Sequence, residues 1–77
     1  MSQFKAQVDA RKYEPKDKHR VILETFESLA SGESMELVND HDPRPLHYQF
    51  EAEYTDQYNW EYLEQGPDVW RVAIGKQ

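Results

Sequence analysis

Asp42-Pro43-Arg44-Pro45-Leu46-His47-Tyr48-Gln49-Phe50-Glu51-Ala52-Glu53-Tyr54 is the stretch on whose reading the fold turns. Leu46, Tyr48, Phe50, Ala52 and Tyr54 alternate with His47, Gln49, Glu51 and Glu53, which is the period of a half-buried strand. Leu46, Phe50 and Tyr54 also stand at i, i+4 and i+8, the period of one helix face, and Leu, Gln, Glu and Ala are helix formers. The entry to the stretch decides between them. Asp42 is a residue type that caps helices, and Pro43 fits a first helical position, where a missing N–H costs nothing. The spacing therefore predicts a helix.

Upstream, Met35, Leu37 and Val38 predict a short strand leading into the loop Asn39 to Pro45. Before it, Val21, Ile22, Phe26, Leu29 and Ala30 repeat at helical spacing from about Asp17, with Asp17 or the residues just before it as the cap. Ser31-Gly32 is the expected stop, since glycine takes the left-handed conformation that ends helices. Glu14-Pro15 demands extended or turning backbone, and Phe4, Ala6 and Val8 alternate with Lys5, Gln7 and Asp9 as a first strand. Downstream, Tyr58, Trp60 and Tyr62, then Trp70, Val72 and Ile74, alternate as two strands joined through Glu64-Gln65-Gly66-Pro67-Asp68. Trp60 or Tyr62 is expected to face Trp70 or Val72 across that hairpin. The order is β-α-β-α-β-β. It specifies an α+β two-layer sandwich in which two helices pack on one face of a four-stranded mixed sheet.

Residues 1–77 read as a single domain, and a domain of this size buries only roughly 60–65% of the surface of its unfolded chain. Ten aromatic residues must supply much of its core. No apolar run approaches membrane-spanning length and the N-terminus has no signal-like character, so a cytoplasmic, monomeric protein is expected. With no cysteine, the chain carries no disulfide, thiolate metal site or persulfide chemistry of its own. Residues 1–20 hold six basic against three acidic side chains, a net of +3, so the remainder carries −9 of the total −6. That distribution argues against nucleic acid as partner, because phosphate neutralisation needs a basic face. The acidic half reads as a solvated surface.

If the first two strands run parallel, both helix N-termini emerge beyond the carboxyl ends of the strands, and the residues that start them share one rim. His19 and Arg20 stand at the first, Asp40, His41, Asp42 and Arg44 at the second, with His47 on the helix flank beside Glu51. Helix N-termini favour anions, with Arg44 as a fork-shaped partner, whereas Asp40 and Asp42 compete for that same arginine. A metal site for zinc or iron from His41, Asp42 and His47, perhaps with His19, uses suitable ligand types but shows no recognised spacing. The simplest alternative has Asp42 as a cap, Asp40 as a turn residue, His41 as a hydrogen-bonding loop residue and the whole loop as a rigid connector.

The string Leu37 to Leu46, the following Tyr48-Gln49-Phe50-Glu51-Ala52-Glu53, and Trp60 to Val72, with Arg11, Lys18-His19 and Gly32-Glu33, resemble the bacterial domain-of-unknown-function family 2249 over about residues 6–74. The resemblance implies no established activity. It implies a fold similar to the small sulfur-carrier proteins, in domains that occur alone or beside hemerythrin-like domains, so that a redox or iron protein of that kind is the partner expected by analogy. Sulfur carriers hold a Cys-Pro pair where the first strand meets the first helix; here that place reads Glu14-Pro15, so persulfide transfer does not carry over.

No nucleophile motif and no glycine-rich phosphate loop is present, and a small sandwich has little volume to enclose a substrate. The expectation is an uncharacterised non-catalytic binding or accessory module without a required cofactor. Its rim residues His19, Arg20, Asp40, His41, Asp42, Arg44 and His47 would engage a small anionic ligand or a protein partner. A metal-binding protein using His41, Asp42 and His47 is the alternative.

Overall fold

The computed structural model describes residues 4–77. Its elements are β1 (Ala6–Asp9), a 3-10 turn (Ala10–Lys12), α1 (Pro15–Glu27), β2 (Ser34–Asn39), α2 (Arg44–Glu53), β3 (Tyr58–Gln65) and β4 (Trp70–Lys76). The deciding stretch is a helix. Leu46 and Phe50 are buried in it and Tyr54 closes it, whereas Tyr48, one of the residues that made the strand-like alternation, is 66% exposed. The helical period buries Leu46 and Phe50 and releases Tyr48 to solvent, whereas a strand would have placed all three on one face.

The sheet order is β1-β2-β4-β3, with β1 parallel to β2 and both other pairings antiparallel. Register places Ala6 beside Met35, Val8 beside Leu37, Met35 beside Ile74 and Leu37 beside Val72, so these residues line one face. Against that face α1 sets Ile22 and Phe26, α2 sets Leu46 and Phe50, and Leu29 follows from the turn after α1. Phe26 meets Phe50 edge-on at 5.0 Å, locking the two helices together at the end away from their N-termini. Tyr62 pairs with Val72 and lies edge-on to Trp70 at 6.2 Å, as the hairpin pattern required.

Several local expectations are corrected. α1 begins at Pro15 with Glu14 in the cap position, making no side-chain cap bond, while Asp17 sits in the first turn. The proline takes the first helical position earlier than the apolar repeat begins. The helix ends at Glu27, ahead of Ser31-Gly32, because the Ser28 hydroxyl and N–H both turn back onto the last carbonyls. Gly32, at φ +88°, serves the turn into β2 instead. Asp42 does not cap α2; Pro43 occupies the cap, and the Asp42 carboxylate turns to the sheet. In the β3–β4 connection Gly66 stands at φ +67°, and a Cβ there would come within 2.9 Å of the Trp70 ring, so only glycine fits. Among the described residues, no helix is long and apolar enough to cross a membrane.

Candidate functional site

Parallel pairing of β1 and β2 delivers the chain, at both carboxyl ends, to the same edge of the sheet: Asp9 and Ala10 lead towards α1, and Asn39 leads into the loop before α2. A cleft of about 260 Å³ opens between these two exits. Its floor is apolar, formed by Ala10, Ile22 and Leu46, and Pro15, Pro43 and Pro45 make its walls. Lys18 and His19 from the first turns of α1 face it from one side, Asn39 and His41 from the other. The two histidines, far apart in sequence, therefore meet at one cleft.

The donors at this rim are side chains more than backbone. Pro15 and Pro45 occupy early helical positions and supply no N–H, which thins the anion-binding capacity that a helix N-terminus ordinarily offers. Lys18 makes no ion pair among the described residues. His41 Nδ1 lies 2.7 Å from Asp40 Oδ1, and this bond, joined by the charge of Lys18, holds the Asp40 carboxyl below its ordinary range. The imidazole is 64% exposed, so the carboxylate orients the ring at the mouth without shielding it from water.

The other expected site residues lie elsewhere. Arg20 turns to the solvent face of α1, pairing with Asp17 at 3.3 Å and Glu24 at 3.1 Å. Arg44 stands 3.6 Å from Asp42, whose other carboxylate oxygen accepts the Tyr62 hydroxyl proton at 2.8 Å. His47 is not beside Glu51 as a partner: its ring stacks on Trp60 at 4.4 Å and 5°, and meets Tyr58 edge-on, while Glu51 accepts from the Tyr58 hydroxyl. An imidazole gains more from a flat indole face than from an exposed carboxylate one turn away. The Trp60 indole nitrogen is buried with no well-formed hydrogen bond, although it lies close enough to the Tyr62 hydroxyl to act on it electrostatically.

His41, Asp42 and His47 thus go to three different partners, Asp40, Tyr62 and Trp60, and do not converge. Among the described residues no three of the His, Asp and Glu side chains are grouped as a metal would require. Lys18 and Asn39 are polar lining residues outside the predicted rim. Asn39 was findable: it continues the alternation Met35, Leu37 into a position where a strand facing the core should carry an apolar residue.

Residues 7–76 match the model of a family described as an uncharacterized conserved protein, DUF2249. The chain belongs to the DUF2249 family. No curated protein and no solved structure matches it. In this DUF2249 chain the Glu14 carboxylate stands 3.7 Å from Lys16 at the surface, and the adjoining Pro15 is a wall of the cleft.

Proposed function

We propose that this protein is a non-catalytic binding module whose ligand seats between the start of α1 and the β2–α2 loop. One observation carries the proposal: His19 and His41, from separate segments, line a single apolar-floored cleft with Lys18 beside them. A cleft of about 260 Å³ is smaller than the roughly 300–1,000 Å³ of typical ligand sites, so it takes a small anion or one acidic side chain of a protein partner. The hemerythrin-like association implied by the family resemblance is the protein form of the same proposal. Turnover is not part of it: the His41–Asp40 pair is open to water. The module is taken to act as a cytoplasmic monomer.

Amide-resolved NMR titration of the labelled protein with small carboxylates and inorganic phosphate tests the proposal. Residues 15–22 and 39–47 should shift together along one binding curve, and His41→Ala should weaken that curve. If both segments stay still with every small anion and with an acidic peptide, the cleft is not a binding site.

A further inference from the structure

Asn39 ends β2 as one of two buried polar residues of the described chain, at 6% exposure, and it lines the cleft. Its Oδ1 accepts the backbone N–H of Asp40 at 2.9 Å, which fixes the orientation of the amide. Nδ2, with two N–H donors, makes no hydrogen bond among the described residues, and in a residue that lines the cleft it keeps some contact with solvent. A donor oriented by its own amide oxygen and still open to solvent is available to a ligand that accepts a hydrogen bond.

We propose that the cleft is a receptor for monocarboxylates with a short aliphatic body. This rests on the cleft being a binding site and adds what the site reads. Nδ2 of Asn39 donates to one carboxylate oxygen, Lys18 balances the charge at the mouth, and Ile22 and Leu46 cover the hydrocarbon. A phosphate dianion suits the site less well for two reasons. All four arginines already face carboxylates: Arg11 with Asp9, Arg20 with Asp17 and Glu24, Arg44 with Asp42, Arg71 with Glu36. No guanidinium fork is left for it, and Asp40 at the mouth repels a second negative charge. At about 30 Å³ per water, the volume of about 260 Å³ matches about nine waters, enough room for butyrate to hexanoate, which have about six to eight non-hydrogen atoms.

The test is a ligand series on the intact wild-type protein, followed by amide shifts of residues 15–22 and 39–47. Butyrate and hexanoate should bind at least tenfold more tightly than inorganic phosphate, butylamine or 1-butanol. Asn39→Asp keeps the acceptor for the Asp40 N–H and replaces the Nδ2 donor by a carboxylate oxygen; it should weaken butyrate at least tenfold. Should that variant fail to fold, Lys18→Gln at the surface, with a far-ultraviolet spectrum like wild type, should weaken butyrate at least threefold and leave 1-butanol unaffected. Shifts as large with phosphate, butylamine or 1-butanol would overturn the carboxylate inference while the binding site stands. Stillness in both segments with every compound, and with an acidic peptide, would remove the site as well.

Discussion

Replacing Arg71 by methionine should unfold this domain well below its natural melting temperature, although the residue is remote from the cleft. Glu36 sits on the central strand β2, on the sheet face that carries no helices, and is only 7% exposed. Its Oε1 accepts from Gln7 Nε2 at 2.7 Å, and its Oε2 accepts from both Nε, at 2.7 Å, and Nη2 of Arg71. Removing one partner of a buried ion pair costs about 3–5 kcal/mol, because the remaining charge keeps its desolvation penalty and loses its compensation. The Arg71 side chain is 39% exposed, so water reaches the space it vacates and returns part of that cost, leaving about 2–3 kcal/mol. A 77-residue domain holds about 4–12 kcal/mol in all, and for this size the loss lowers the melting temperature by about 10–20 °C. Urea unfolding followed by circular dichroism measures it, with an unchanged slope showing that only stability moved. The double variant Glu36→Gln/Arg71→Met removes the charge along with its partner, and it should recover more than half of the loss. An Arg71→Met protein within about 0.5 kcal/mol of wild type, or a double variant showing simple additivity, would refute the account of Glu36 as a buried carboxylate dependent on Arg71.

Three further outcomes follow from other contacts. The Arg11 guanidinium bonded to Asp9 holds that carboxyl at about 2, below the usual 3.8, so its stabilisation is complete above pH 4 and lost as pH falls towards 2. Asp9→Asn should cost about 1 kcal/mol at pH 7, after allowance for solvent screening, and nothing at pH 2; a pH-independent cost in parallel urea titrations contradicts this. Burial, and bonds to Glu27 and Glu51, push the phenols of Tyr54 and Tyr58 up to about 12, so their contribution is intact below pH 10 and disappears as pH rises towards 12. Phenolate absorbance should accordingly show Tyr54 and Tyr58 ionising only as alkali unfolds the chain, and all five tyrosines titrating together near pH 10 in a folded protein would exclude it. Because Asp42 bonds the Tyr62 hydroxyl and not the helix end, Asp42→Ala and Tyr62→Phe should each cost about 1 kcal/mol, and the double variant little more than either. Additive losses in thermal melts would restore Asp42 as a cap.

Much of the architecture was legible because it is written in local periods. Residues Val21, Ile22 and Phe26 repeat as a helix face, and Trp70, Val72 and Ile74 repeat as a strand face; these patterns survive folding because a period of 3.6 or 2 points a whole set of side chains one way. The ambiguous stretch 44–53 also yielded, through the proline entry and the helix formers that follow it, although Asp42, the other half of that entry, caps nothing. The meeting of His19 with His41 was legible too, as a consequence of two parallel strands sending their exits to one edge.

The amino-acid sequence by itself determined the order of elements, the absence of thiol chemistry and the segments that form the cleft, because each depends on residue type and spacing along the chain. Only the tertiary structure decided which side chain each candidate residue meets. Asp42 had a helix end within local reach and, besides pairing with Arg44, bonds Tyr62 from β3; His47 had Glu51 one turn away and stacks on Trp60; Asn39 ended a strand and lines the cleft. Such choices are settled by competition among groups brought close by folding, where differences of about 1 kcal/mol in desolvation and packing select one partner over another, and that competition exists only once the layers have closed.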